Sequence, residues 1–195
     1  MKIIGLTGSI AMGKSTVADF FKQVGIPVFS ADDSVHQLYN DKPAVSLIAR
    51  AFPNAIEDGK INRLKLSEIL LNDPEKLQKL EKIIHPLVQE KEKEFIEKAR
   101  REGKKLVVLE IPLLFETKSE KRLDSVIVVS APRTIQKDRA MIRPNMNEEK
   151  FAFINTRQMS DEEKQERADF IIDTGKDLEN TREQVFGVIK NLLKN

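Results

Sequence analysis

Gly8, Gly13, Lys14 and Ser15 stand at the spacing G-x-x-x-x-G-K-[ST], between an apolar run and a helical pattern. Glycines at these positions let backbone N–H groups form a concave anion site, which bulky side chains would block. The positive end of the helix dipole adds to the attraction. Lys14 can reach the β- and γ-phosphates of a nucleotide, and the Ser15 hydroxyl can ligate Mg²⁺. The spacing predicts a nucleotide-binding phosphate loop.

The same stretch supplies most of the predicted contacts to ATP. Thr16 follows the metal-binding serine and is placed to donate to an α-phosphate. The predicted loop contacts to ATP are Gly8, Ala11, Met12, Gly13, Lys14, Ser15 and Thr16, with Mg²⁺ held by Ser15.

Asp32 is the candidate for the reactive carboxylate. The run "IPVFSADD" ends a predicted strand, so Asp32 should emerge at the carboxyl edge of the sheet, where ligands bind in doubly wound folds. A carboxylate there can accept a hydroxyl proton or orient the nucleophile during phosphoryl transfer. The alternative is a structural helix N-cap, which aspartate also favours.

Two arginines in "IQKDRAMIRP", Arg139 and Arg143, are four residues apart and therefore share one helix face. Arginine forks suit a transferring phosphoryl group, and a lid that carries them would exclude water. A solvated basic face is the alternative. We predict a catalytic role for Arg139 and ATP binding for Arg143.

Two further ionisable residues each have two interpretations. Glu110 falls near the end of an apolar strand, where it would ligate Mg²⁺ or form a structural salt bridge. His85 precedes Pro86 inside a helical pattern, and a lone histidine is more often structural than catalytic. Pro86 predicts a kink or a restart of the helix at this point.

Short runs that are apolar throughout predict strands covered on both faces. These runs are residues 2–7, 26–30, 105–111, 125–130 and 169–173. A helical stripe over residues 14–24 follows the first run, and helical patterns separate most of the others. Strands that alternate with helices predict an α/β fold with a mainly parallel sheet.

The connections between these strands are unequal in length. Residues 31–104 are too long for one crossover and predict a helical, substrate-side insertion. Residues 132–168 are rich in charge and predict a helical lid. The predicted nucleotide-binding core is residues 1–30, 105–131 and 169–195.

Composition narrows the classes of function. The chain has 195 residues with 33 basic and 31 acidic side chains, which argues against general nucleic-acid binding. It has no cysteine and two histidines, so thiolate and histidine-rich metal sites are not expected. No signal peptide or long apolar run is visible, so we predict a soluble, cytoplasmic protein without a membrane partner.

Other phosphate-loop classes fit less well. A switch GTPase would need Asp-x-x-Gly, and no aspartate is followed by glycine at that distance. The nearest guanine-type match, "TKSE" at 117–120, ends in glutamate. A non-catalytic ATP-binding module remains open, although a carboxylate at Asp32 argues against it.

Five motifs in order along the chain resemble the dephospho-coenzyme A kinase family. They are "IGLTGSIAMGKSTV", "VFSADDSVHQLY", "IIHPLV", "VVLEIPLLFE" and "ADFIIDTGKDLENT". The resemblance implies a P-loop kinase fold with a nucleotide core, a helical region on the coenzyme A side and a mobile lid. It implies transfer of the ATP γ-phosphoryl group to the ribose 3′-hydroxyl of dephospho-coenzyme A with Mg²⁺, in a monomer or weak homo-oligomer.

The resemblance also assigns roles to single residues. Asp32 matches the residue taken as the catalytic base in the family, and the resemblance favours Arg139 over Arg143 as the catalytic arginine. His85 and Leu113 are assigned to the acceptor side, although Leu113 is also a typical packing residue. Gly175 follows the last strand, where the resemblance implies contacts to adenine.

This chain departs from the family pattern at four positions. Ser30 replaces the first aspartate of Asp-Ala-Asp, and Thr174 replaces an asparagine. Ser9 and Ala11 stand where loop glycines are common. Both are small, so the phosphate loop should still form. Another P-loop kinase, of a nucleoside, a nucleotide or a small metabolite, is the remaining alternative.

Overall fold

The computed structural model describes residues 1–71 and 73–194. Residues 72 and 195, which fall within the predicted insertion and core, lie outside the described residues. The chain divides into two compact units: the first comprises Met1–Ser30 and Lys98–Asn195, and the second Ala31–Glu97. The second unit resembles the predicted insertion, residues 31–104, but ends at residue 97. The predicted lid, residues 132–168, belongs to the first unit. The three-part division therefore stays a prediction.

A parallel sheet of five strands forms the centre of the first unit. The strands are β1 (Lys2–Thr7), β2 (Val28–Ser30), β5 (Leu106–Glu110), β6 (Ser125–Ser130) and β7 (Phe170–Asp173). They lie in the order β2-β5-β1-β6-β7, and every neighbouring pair is parallel. The predicted α/β fold with a parallel sheet is confirmed. Its carboxyl edge carries the loops that follow β1, β5, β6 and β7.

Helices cover this sheet because the strands are apolar on both faces. They are α1 (Lys14–Gln23), α6 (Arg133–Met141), α7 (Glu148–Thr156), α8 (Asp161–Glu166) and α9 (Leu178–Lys194), with a 3-10 turn at Ser119–Arg122. Ile4 and Ile127 of the strands pack in one core with Val17 and Phe21 of α1 and Val185 of α9, and all five side chains are fully buried. Burial of each such side chain stabilises the fold by about 1.5–3 kcal/mol.

The second unit has its own core and is mostly helical. Its elements are α2 (Ala31–Leu38), α3 (Lys42–Ala51), a 3-10 turn (Pro53–Ala55), β3 (Ile56–Glu57), β4 (Lys60–Ile61), α4 (Arg63–Leu70) and most of α5 (Pro74–Arg101). Leu38, Ile48, Leu66 and Ile84 pack together in this core. The buried side chains of this unit therefore form a cluster of their own, distinct from the one around the sheet.

The insertion was predicted to be helical, and that prediction was incomplete because β3 and β4 form a short antiparallel hairpin. Asp58 and Gly59 connect the two strands with φ angles of 49° and 73°. An Asp-Gly pair with two positive φ values is the signature of a type I′ turn. Ile56 and Ile61 flank this turn and pair across it, so the sequence contains the local pattern of a β-hairpin.

Of the two outcomes predicted at Pro86, the restart is wrong, because α5 runs unbroken from Pro74 to Arg101, and the kink stays a prediction. Leu80 and Ile84 before the proline and Leu87 and Val88 after it pack against the same core. Burial on both sides of Pro86 outweighs the loss of one helical hydrogen bond.

No described helix is both long and apolar enough to cross a membrane.

Candidate active site

The loop between β1 and α1 forms a tight turn that depends on its glycines. Gly8 lies so close to β6 that a Cβ atom would clash with the carbonyl oxygen of Val129. Gly13 has φ 90°, and a Cβ atom there would lie 3.1 Å from the hydroxyl oxygen of Thr174. Both positions need glycine because the backbone is approached closely. The loop therefore turns its backbone, rather than side chains, toward the site.

The amino-terminal end of α1 is positive and lacks a side-chain cap. Its N-cap residue is Gly13, and no described side chain caps the helix or places an acid in its first turn. Lys14 curls back over the loop, with Nζ donating to the carbonyl oxygens of Gly8 at 2.7 Å and Ser9 at 3.3 Å. The N–H groups of the first turn, the helix dipole and this ammonium group together favour an anion.

A cavity of about 360 Å³ opens beside this helix end. Its lining residues all belong to the first unit: Ala11, Gly13, Lys14, Ser15, Thr16, Arg139, Arg143, Thr174, Lys176, Leu178 and Thr181. The first seven are residues that the sequence predicted to bind or act on ATP. The cavity is large enough for part of a nucleotide, and its cations suit phosphates.

Thr174 links three parts of this cavity. Its hydroxyl donates to the carbonyl oxygen of Met12 at 2.8 Å and accepts from Nη1 of Arg139 at 3.0 Å. Nη2 of Arg139 also donates to the carbonyl oxygen of Thr174 at 2.7 Å. The buried threonine therefore holds the arginine against the phosphate loop. Apart from its position after a strand, Thr174 carries no sequence signal for this role.

Arg143 has a different environment from Arg139. It is exposed and lies two residues beyond the end of α6 at Met141, so the prediction that both arginines share one helix face is wrong, although both line the same cavity. No described carboxylate lies within ion-pair distance of it. The predicted pair of arginines thus consists of one fixed side chain and one that is open to a ligand.

The tip of the phosphate loop is held by residues that sequence reasoning missed or ranked low. The N–H group of Ile10 donates to Gln158 at 3.0 Å, and its carbonyl oxygen accepts from Gln136 at 2.9 Å. Phe151 of α7 packs with Ala11 in a small apolar cluster. These contacts are tertiary, and neither glutamine lies in a recognisable motif. The segment predicted as a lid thus contacts the loop in this structure.

Ala11 takes a conformation that favours glycine. Its φ is 61°, in the left-handed region, and its side chain is buried. The left-handed conformation costs a residue with a Cβ atom about 1–2 kcal/mol of free energy. The loop keeps its turn despite the replacement of a common glycine, and Ala11 carries the strain.

The remaining predicted residues of the first unit lie around the cavity rather than in its lining. A Cβ atom on Gly175 would clash with Pro132 at the start of α6, so glycine is required there. Met12 is buried beneath the loop. Leu113 is half-buried in the segment after β5, and its carbonyl oxygen accepts from Thr117.

Asp32 and His85 belong to the second unit, and both side chains are exposed. Asp32 is the second residue of α2, and no described N–H group donates to its carboxylate. The interpretation of Asp32 as an N-cap is therefore wrong, since a cap accepts from the first turn. His85 lies on α5, one residue before Pro86, without a described hydrogen-bond partner.

Glu110 ends β5 and is buried. In the sheet register it lies beside Leu6 of β1 and Ser30 of β2, at the carboxyl edge. Both interpretations, a metal ligand and a structural salt bridge, need this buried position.

Ser15 of the phosphate loop is the predicted donor to a metal ion. No described group of three or more His, Cys, Asp or Glu side chains could hold a metal ion by itself. Ser15 supplies an exposed hydroxyl in the cavity, which is a hard oxygen donor. Mg²⁺ usually keeps several waters and binds through few protein ligands plus substrate phosphates. The residues present fit a divalent metal that arrives with a nucleotide.

A larger cavity of about 660 Å³ lies between the ends of β6 and β7, α6 and α8. Three carboxylates, Asp161, Glu162 and Asp173, line it, and the only cation in its lining is Arg133. This acidic lining is unsuited to phosphates, so the smaller basic cavity is the nucleotide candidate.

The short helix α8 is anchored to the loop after β5. Nζ of Lys164, which is fully buried, lies 3.0 Å from a carboxylate oxygen of Glu116. The N–H group of Met159 donates to the same oxygen at 2.7 Å. Asp161 accepts from the Ser130 hydroxyl at 2.5 Å. This part of the predicted lid is fastened to the sheet.

Comparisons with known proteins agree with this geometry. The family model for dephospho-CoA kinase (CoaE) matches residues 2–180. The dephospho-CoA kinase of Bartonella quintana is 74% identical over 195 residues, which cover all of both chains. TT1252 from Thermus thermophilus has a similar structure, with a TM-score of 0.83 and 34% identity over 98% of this chain and 97% of its own. The dephospho-CoA kinase from Campylobacter jejuni gives a TM-score of 0.69 and 28% identity over 100% of this chain and 98% of its own.

Proposed function

The chain belongs to the dephospho-CoA kinase family, and we propose which of its residues carry out that family's reaction. It is a transferase that phosphorylates dephospho-CoA with ATP, the final step of coenzyme A biosynthesis. The phosphoryl group goes to the ribose 3′-hydroxyl. The predicted resemblance and P-loop kinase fold are confirmed by the family match and the two similar structures.

ATP binds in the 360 Å³ cavity of the first unit. Its phosphates lie on the N–H groups at the start of α1, where Lys14 neutralises charge as a point cation. Adenine extends toward Thr174 and Gly175, along the wall that Arg139 and Thr174 form together. The observation that supports this placement is the convergence of the uncapped helix end, Lys14 and two arginines on one cavity.

Ser15 holds the divalent metal, which we propose is Mg²⁺. When bound, the ion neutralises the phosphate oxygens on which charge develops. The ammonium group of Lys14, which donates to the carbonyl oxygens of Gly8 and Ser9, lies at the same loop and adds its charge there.

Asp32 accepts or orients the proton of the attacking hydroxyl. Three observations support this role: the carboxylate is exposed, it accepts no hydrogen bond from a described residue, and it follows β2 by two residues. An exposed, unpaired carboxylate is available to a substrate hydroxyl. His85 and Leu113 contribute to acceptor binding.

Arg139 stabilises the transferring group when the lid, residues 132–168, closes, and Arg143 binds ATP. Arg139 is already oriented by Thr174, so it loses little side-chain entropy when a ligand binds. Arg143 gains a partner only in the complex. We also propose that the enzyme is cytoplasmic, a monomer or weak homo-oligomer, and does not bind nucleic acid.

The test is ATP consumption with a panel of acceptors: dephospho-CoA, AMP, CMP, pantothenate and water, each with Mg²⁺. We expect ADP formation with dephospho-CoA alone, and its loss in Lys14→Ala. Turnover with another acceptor instead would keep the kinase fold and overturn the substrate. ADP formation with water alone would indicate a nucleotide switch.

A further inference from the structure

Arg63 and His36 form a polar contact in the second unit that the reaction as described above does not use. Arg63 is the first residue of α4, and its Nη2 lies 2.6 Å from Nε2 of His36 on α2. A guanidinium group can only donate, so Nε2 accepts and the ring proton lies on Nδ1. The imidazole therefore orients the arginine without neutralising it.

No described carboxylate pairs with Arg63. Its neighbour Lys65 provides a contrast, since it forms an ion pair with Glu57 at 2.6 Å. The hydrogen bond from Lys65 lowers the pKa of the Glu57 carboxyl. Arg63 also lies close enough to Tyr39 to oppose, by its charge, the rise that burial causes in the tyrosine pKa. Glu57 is thus paired with Lys65, and no described carboxylate balances the charge of Arg63.

The position of Arg63 is unfavourable for the stability of α4. A cation at the first residue of a helix meets the positive end of the helix dipole. The exposed side chain also buries little apolar surface in return. Apart from the contact to His36, neither the helix dipole nor burial of apolar surface favours an arginine here, which supports a role in binding an anion.

His36 lies on the same face of α2 as Asp32. The two residues are four apart, so they are neighbours on the helix surface. Their separation along the axis is about 6 Å, at 1.5 Å per residue. The proposed proton acceptor therefore lies one helical turn from the histidine that contacts Arg63, and all three side chains belong to one unit.

We infer that Arg63, oriented by His36, binds the diphosphate of the acceptor. This inference rests on the proposed function. In dephospho-CoA the diphosphate is attached to the 5′ carbon of the ribose whose 3′-hydroxyl is phosphorylated. One sugar ring separates the two groups, and one helical turn separates Asp32 from His36. An arginine fork suits a diphosphate, since it can donate two parallel hydrogen bonds.

Arg63 is a binding residue in this scheme, and His36 is a positioning residue that acts through it. The contact is made to a part of the substrate that does not change during the reaction. Its loss should therefore raise the KM for dephospho-CoA and leave kcat and the KM for ATP nearly unchanged.

Steady-state kinetics of the full-length enzyme test the inference, with dephospho-CoA and ATP varied separately. In Arg63→Met we expect kcat/KM for dephospho-CoA to fall about 10- to 100-fold, the effect of losing a hydrogen bond to a charged group. Arg63→Lys should fall between the wild type and Arg63→Met, because it keeps the charge but loses the fork. The matched control is Lys60→Met, which removes one exposed, unpaired cation three residues away and should change kcat/KM less than twofold.

A second pair of variants tests the role of His36. His36→Gln can still accept a hydrogen bond near the position of Nε2, whereas His36→Leu cannot. We expect His36→Leu to raise the KM for dephospho-CoA several-fold, His36→Gln to restore most of it, and His36→Leu to add nothing in the Arg63→Met background.

Three results would overturn the inference: equal kcat/KM for Arg63→Met and Lys60→Met, an equal rise in the KM for ATP, or a full effect of His36→Leu without Arg63. These outcomes can be told apart from a failure of the proposed function, since in that case the wild-type enzyme would not phosphorylate dephospho-CoA at all.

Discussion

The nucleotide cavity of the first unit and the α2 surface of the second unit differ in how firmly their polar side chains are held. In the cavity, Arg139 donates two hydrogen bonds to Thr174, and Lys14 donates to the phosphate loop. On α2, Asp32 has no described partner, and His36 is joined to Arg63 by a single contact. The proposed ATP site thus contains polar side chains that are already held in place, whereas the proposed acceptor surface is open.

This difference predicts two patterns of mutant behaviour. Substitution of Thr174 or Arg139 in the cavity should change both stability and ATP binding, because these two side chains are joined to each other and to the phosphate loop. Substitutions on α2 should change the kinetics of the acceptor and leave the free energy of unfolding nearly unchanged, because exposed side chains add little to it.

The largest effect is expected at the proposed proton acceptor. Asp32→Asn should lower kcat about 10²- to 10⁴-fold, the usual contribution of a general base. The dissociation constant for ATP and the thermal midpoint should stay close to those of the wild type, since the carboxylate has no partner to lose. Kinetics, equilibrium binding and thermal unfolding of the same preparation check this. Near-normal kcat would remove Asp32 from the chemistry.

A large loss of stability is expected at the buried ion pair of the first unit. Glu116→Gln leaves the fully buried ammonium group of Lys164 unpaired and should lower the free energy of unfolding by about 3 kcal/mol. The exposed pair between Lys22 and Asp19 is a matched control, because Asp19→Asn should cost less than about 0.5 kcal/mol. Denaturant unfolding compares them. Equal, small losses would mean that α8 is not anchored by this pair.

A medium effect is expected at the threonine that holds Arg139. Thr174→Val keeps the shape of the side chain but removes an acceptor from Arg139 and a donor from the carbonyl oxygen of Met12. We expect the KM for ATP to rise roughly tenfold and the unfolding free energy to fall by about 1–3 kcal/mol. Thr174→Ser should restore both. A change in the KM for dephospho-CoA alone would contradict the separation of the two regions.

The smallest effect is expected at the strained residue of the phosphate loop. Ala11→Gly removes the penalty of a Cβ atom at φ 61° but gives more freedom to the unfolded chain. The net gain in unfolding free energy should be no more than about 1 kcal/mol, with ATP binding unchanged. Thermal unfolding measures it, and a loss of stability would show that the positive φ carries no strain.

The sequence predicted what depends on local pattern. The phosphate loop, the five strands and the helix after the loop could be located from glycine spacing and apolar runs alone. Asp32 could be nominated because it follows a strand. The hairpin turn at Asp58 and Gly59 also has a local signal, the Asp-Gly pair between two isoleucines.

Contacts that join distant parts of the chain could not be predicted. Gln136 and Gln158 hold the tip of the phosphate loop, but they stand 126 and 148 residues away from Ile10. Thr174 was noticed only as a departure from the family pattern, and its bonds to Met12 and Arg139 depend on the packing of β7 and α6. The continuation of α5 through Pro86 also depends on tertiary packing, since burial on both sides of the proline overrides its local preference to end a helix.

The most direct test identifies the product of the proposed reaction, which requires both the nucleotide cavity and the α2 surface. Wild-type enzyme is incubated with Mg²⁺, ATP and dephospho-CoA, and the position of the new phosphate is determined by phosphorus and proton NMR. We predict one phosphomonoester on the ribose 3′-oxygen for each ADP formed. ADP without a phosphorylated acceptor, or phosphate at another oxygen, would contradict it.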